Sequence, residues 1–99
     1  MAKYTKRQNP KGWGDATKLV RGGLDRSLHG ETSEAIYLTS GYVYDDPETA
    51  ERRFAGEEDG YVYGRYGNPT VSMLEERMRL LEGAEACYAV ASGMSAAFG

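Results

Sequence analysis

Ninety-nine residues suffice for one small domain and bury only a modest share of the surface that the unfolded chain exposes. Twelve Lys and Arg against fifteen Asp and Glu leave a net charge of −3, which excludes the broad basic field that draws in nucleic acid or an anionic membrane and leaves room only for a local anion site. The single cysteine, Cys87, excludes an internal disulfide, no apolar run nears the roughly 20 residues that span a bilayer, and the opening MAKYTKRQNPKGWG lacks the apolar core of a signal peptide, so a cytoplasmic chain is expected.

In chain order, residues 1–14 are polar and hold Asn9, Pro10, Gly12 and Gly14, which predicts a mobile arm. One or two helical turns follow over Asp15 to Val20, broken at Arg21-Gly22-Gly23, and Asp25 to Glu34 reads as a loop around Gly30. From Ala35 to Tyr44, apolar residues are mixed with Thr39, Ser40 and Gly41, which suggests extended chain against a surface and not a central strand. Asp46 as cap, Pro47 at the first position and Gly56 as left-handed stop predict a helix over 47–55. Asn68, Pro69 and Gly83 frame a second helix in the same way, with Val71, Leu74, Met78 and Leu81 spaced as one apolar face and Glu75 four residues from Arg79 on the other. Met73 and Met78 fit a packed face of that helix.

After Gly83 the pattern becomes a short apolar run, 86–91, which ends in Ser92-Gly93 and reopens as the small helix-forming residues Met94-Ser95-Ala96-Ala97-Phe98. Helix, strand, tight turn, helix is the grammar of an α/β fold. The sequence stops in this new apolar run at ASGMSAAFG, with no cap or polar tail, and is expected to be part of a longer chain.

Two stretches have the residue types for chemistry. In an α/β fold, ligands sit where a strand's carboxyl end meets a helix start, and Ser92-Gly93-Met94 offers a hydroxyl, a residue without a side chain and outward amides suited to phosphate. Alone, such a turn is as often a plain connection. The segment 61–70, YVYGRYGNPT, presents Arg65 as a planar fork for phosphate oxygens and Tyr63 as a phenolic donor. Its glycine spacing matches neither the dinucleotide fingerprint nor the Walker loop, and the plain alternative is an exposed aromatic loop. His29, the only histidine, has no cysteine near it in a polar loop and makes no metal site. Cys87, inside an apolar run, reads as a small buried hydrophobe. Glutamates 57, 58, 75, 76, 82 and 85 read as solvated charge.

Three stretches, GETSEAIYLTSGYVYD (30–45), RFAGEEDGYVYGRYGNPTVSMLEERMRLLEGAEA (53–86) and ASGMSA (91–96), resemble in order and spacing the opening of the Cys/Met-metabolism enzymes that use pyridoxal 5'-phosphate. The resemblance covers about two thirds of the chain. It implies the N-terminal part of a PLP-dependent transferase fold (aspartate-aminotransferase-like, fold type I), cut at the start of the large cofactor-binding domain. Residues 15–68 would then be an extended and loop segment against a neighbouring subunit, and 69–99 the start of the cofactor domain. It further implies that Tyr63 and Arg65 reach the cofactor phosphate of a neighbouring subunit, while Ser92, Gly93 and Met94 cradle the phosphate of their own. The implied assembly is a homo-oligomer, a dimer of dimers, acting on small amino-acid substrates, with no nucleic-acid or membrane partner.

The first stretch is most like the branch of the family that joins O-succinylhomoserine to sulfide, giving homocysteine for methionine biosynthesis. γ-Synthase, γ-lyase and β-lyase branches share the same motifs. Gly64 stands where the family usually has Ser, Ala35 where many members have Pro, and Gly41 where many have Thr. None of these departures removes a phosphate-binding group. The ring-stacking tyrosine, the aspartate that pairs with the pyridine nitrogen and the lysine that bonds the cofactor are expected beyond residue 99, because Lys3, Lys6, Lys11 and Lys18 all precede every motif. No catalytic residue is therefore assigned, and the segment alone is expected to be inactive. A reading of another class is a small module whose Tyr/Arg segment stacks on single-stranded RNA, against which the net acidity counts.

Overall fold

A computed structural model of the chain describes residues 11–99, so the arm expected over 1–14 lies largely outside the described residues. The helices are α1 (Asp15–Arg21), α2 (Pro47–Phe54), α3 (Pro69–Glu82) and α4 (Gly93–Phe98). The chain divides into two units, residues 36–69 forming one and the residues on either side of that stretch forming the other.

The helix ends follow from local chemistry. Asp46 accepts the Thr49 N–H at 2.7 Å, which satisfies an orphan donor of the first turn of α2 and draws the Asp46 carboxyl below its usual range. Pro47 sits where its missing N–H costs nothing, and Gly56 follows the helix at φ +78°. The terminus of α3 is marked by Gly83 at φ +65°, a conformation that lets the last turn close. Both helices match their expected spans to within a residue.

In the first unit, α3 packs on the segment that follows α1. Leu24 and Met73, at 0% and 2% exposure, are the buried apolar side chains among the described residues. Gly23, at φ +73°, brings the backbone so close to α3 that a Cβ there would stand 2.9 Å from Glu76 Cβ and 3.0 Å from Arg77 N. Arg77 then ties the loop down, donating from Nε to Gly22 O at 2.9 Å and from both terminal nitrogens to Glu34 at 3.0 and 3.2 Å.

Three expectations change. The apolar face read at Val71, Leu74 and Met78 is half open, whereas the side carrying Met73 is the one that packs. Arg79 pairs with Glu76, not with Glu75: its Nε and Nη2 reach the Glu76 carboxylate at 2.8 and 2.7 Å, and its Nη1 reaches Ala84 O. Glu75 instead accepts the Ala89 N–H at 2.8 Å, so Glu75 and Glu76 are bound groups and not simply solvated charge. The run 86–91 forms no β-ladder. Among the described residues an antiparallel bridge joins Gly41 and Tyr63, away from this run, and a strand without neighbours leaves its backbone groups to side chains and water.

Candidate functional site

Both sequence-derived halves of a phosphate site lie at helix-flanking turns, one in each unit. In the second unit, the loop 61–68 is laid along 37–44. Tyr42 stacks on Tyr61 with ring centroids 5.4 Å apart, and its hydroxyl donates to Gly67 O at 3.1 Å. The Tyr44 hydroxyl donates to Val62 O at 3.3 Å. The Asn68 side chain donates to the carbonyls of Tyr37 at 2.9 Å and Thr39 at 3.3 Å, tying the C-terminal end of the loop to the same stretch. A tight turn inside the loop is closed by the N–H groups of Tyr66 and Gly67, which both donate to Tyr63 O.

This support leaves the two predicted side chains exposed and aimed outward from a fixed backbone. The Arg65 guanidinium lies over the Tyr66 ring at 6.0 Å from its centroid, and Tyr63 meets the same ring edge-on at 6.1 Å. Stacking on an aromatic face orients a guanidinium without consuming its N–H donors. Among the described residues Arg65 has no ion pair and no side-chain hydrogen bond, so its fork is open to an anion. Tyr66 is thus the shelf for Arg65.

In the first unit, Ser92 is the N-cap of α4: its Oγ accepts the Ser95 N–H at 3.2 Å and lies 3.1 Å from Ser95 Oγ. The N–H groups of Gly93 and Met94 belong to the first turn, where no intrahelical acceptor exists. A Cβ at Gly93 would meet nothing within 4 Å, so no packing within this chain requires the glycine. Each turn by itself offers donors that suit an oxyanion: a guanidinium fork at Arg65 and, separately, a hydroxyl and outward amides at Ser92, Gly93 and Met94.

Sequence reasoning named Tyr63, Arg65, Ser92, Gly93 and Met94 but missed what holds them. Tyr66, Tyr42 and Asn68 were visible only as an aromatic loop and a helix cap; Tyr66 acts through the ring beneath its neighbour Arg65, and Tyr42 and Asn68 through carbonyls some 25 to 31 residues away. Ser95 carried a legible signal, since a hydroxyl residue three positions after a Ser cap lies at the same helix start.

The opening of a PLP-dependent transferase fold, fold type I, is what this arrangement matches among solved proteins. A crystal structure from Campylobacter jejuni, of a protein assigned as an O-acetylhomoserine (thiol)-lyase and containing N'-pyridoxyl-lysine-5'-monophosphate, superposes with a TM-score of 0.82 at 31% identity, covering 88% of this chain and 22% of that one. Residues 16–99 match the model of the Cys/Met metabolism PLP-dependent enzymes, and the chain belongs to that family. Similar curated proteins include an O-succinylhomoserine sulfhydrylase of Mycobacterium tuberculosis, 63% identical over 90% of this chain and 22% of its own length. Another from Pseudomonas aeruginosa is 54% identical over 81% of this chain and 20% of its own. An L-methionine gamma-lyase of Porphyromonas gingivalis is 46% identical over 84% of this chain and 21% of its own. The chain spans about a fifth of the length of these relatives.

Proposed function

We propose that the chain is the cofactor-anchoring N-terminal segment of an O-succinylhomoserine sulfhydrylase, a cytoplasmic dimer of dimers that makes homocysteine from O-succinylhomoserine and sulfide in methionine biosynthesis. The observation that carries the reaction is the identity gradient: 63% and 54% to two sulfhydrylases against 46% to a γ-lyase over similar shares of the chain. Pyridoxal 5'-phosphate, when bound, supplies an electron sink for the carbanion at the substrate carbons. The residues of this segment bind and orient it. Arg65, through its guanidinium, and Tyr63, through its hydroxyl, would hold the cofactor phosphate of a neighbouring subunit. Ser92, Gly93 and Met94 would hold the phosphate of their own subunit at the start of α4. None of them transfers a proton. The family match supports a cofactor phosphate over an RNA strand as the partner of the Tyr/Arg segment.

The test is made on the complete protein. A visible cofactor band together with homocysteine formation from O-succinylhomoserine and sulfide is the expected result. A yellow protein that instead cleaves methionine or cystathionine would keep the cofactor role and replace the reaction. A protein that binds no pyridoxal phosphate would overturn the proposal.

A further inference from the structure

The loop that carries Tyr63 and Arg65 touches its support most closely at the residue between them. Gly64 N–H donates to Ser40 O at 2.6 Å. A Cβ on Gly64 would stand 2.9 Å from Ser40 Cα and 3.2 Å from Thr39 O, both backbone atoms that cannot swing aside as a side chain would. The backbone it rests on is itself held, because Thr39 O accepts from Asn68 and Gly41 bridges to Tyr63. Gly41 on the opposite side of this contact is different: a Cβ there would meet nothing within 4 Å.

We propose that Gly64 is a positioning residue for the cofactor-phosphate grip: by lacking a side chain it seats the loop directly on the backbone of 39–41 and so sets where Arg65 and Tyr63 stand. The inference rests on the reading of those two side chains as phosphate ligands. Moving a Cβ from 2.9 Å to the start of ordinary contact at 3.4 Å lifts the loop by about 0.5 Å. That is the scale at which a binding constellation leaves its productive geometry, on the order of 0.5 Å. The departure at position 64 from the family's usual Ser is therefore a structural choice in this chain, matched to the close seat on Ser40.

The experiment titrates pyridoxal 5'-phosphate into the complete apo-protein and follows the visible band, for wild type, Arg65→Ala, Gly64→Ala and Gly41→Ala. Gly64→Ala is expected to raise Kd about tenfold while saturating cofactor restores the same band and turnover within about twofold, a split that general loss of structure does not give. Gly41→Ala keeps the wild-type Kd. A folded Gly64→Ala protein with wild-type Kd, beside an Arg65→Ala protein that has lost affinity, overturns the positioning role alone. An Arg65→Ala protein with wild-type Kd overturns the phosphate reading and this inference with it. Should Gly64→Ala not fold, Tyr42→Phe removes the hydroxyl bond to Gly67 O and loosens the same seat. A rise in Kd of about threefold is then expected, and an unchanged Kd overturns the inference.

Discussion

Residues 21–35 and residues 84–99 both lie against α3, and they are held to it in different ways. The first stretch brings its own partners: Leu24 is fully enclosed, the Asp25 N–H lies 3.3 Å from Met73 sulfur, and Arg77 grips both Gly22 O and Glu34. The second is tied by side chains of α3, Arg79 donating to Ala84 O and Glu75 accepting the Ala89 N–H, while its large side chains stay open, Tyr88 at 84% and Phe98 at 82% exposure. Leu74, Met78, Ala86 and Cys87 line an apolar groove of about 350 Å³ beside it. Polar ties set a path for the chain, but burial of apolar surface is what makes a path stable. The half of the candidate phosphate site at Ser92 therefore depends on further apolar cover, whereas the half at Arg65 has its support inside residues 36–69.

Leu24→Ala breaks this comparison most severely. It empties a fully enclosed position and should cost about 2–5 kcal/mol, read as a lowered unfolding midpoint of the complete protein. A shift below about 1 kcal/mol would show that 21–35 is no better anchored than the tail. Arg77→Ala sharpens the same point on a smaller scale. The Arg77 fork draws the Glu34 carboxyl below its usual range, and because Glu34 is partly exposed its loss should cost about 1 kcal/mol. Little change at all would leave Leu24 as the only anchor of consequence.

The smallest effect is one of pH. The Ser27 hydroxyl and N–H donate to the two oxygens of the Glu31 carboxylate at 2.7 and 2.9 Å, and these bonds lower its pKa from 4.5 to about 2. The folded pKa is depressed, so the stabilisation is complete above 4.5 and is lost as pH falls towards 2. In that window the protection of the 27–31 amides, taken relative to intrinsic exchange at each pH, should fall in wild type, while Glu31→Gln should remove that pH-dependent fall. Identical profiles for the two proteins would contradict the assignment.

The helices were legible because their signals are local. Asp46-Pro47 and Gly56, or Pro69 and Gly83, act within a turn of where they stand. The packed side of α3 was only partly legible: Met73 was read as packed and is buried, whereas the spacing that favoured Val71, Leu74 and Met78 marks side chains that stay about half open. The partner of Arg79 was also hidden: Glu75 and Glu76 are both within helical reach, and the choice fell to Glu76 once Ala89 claimed Glu75. The site residues came from the family pattern and not from spacing alone. Their supports, Tyr66 beneath Arg65 and Asn68 across to Tyr37, could be read only from the folded loop.

The central claim is that Arg65, presented on Tyr66 by a loop that this segment holds by itself, grips the cofactor phosphate. Its most direct test is the affinity of the complete apo-protein for pyridoxal 5'-phosphate in wild type and Arg65→Ala, followed at the visible band. A loss of about tenfold or more, as expected for removing a charge-assisted bidentate contact, is the predicted result. Equal affinities in the two proteins would contradict it.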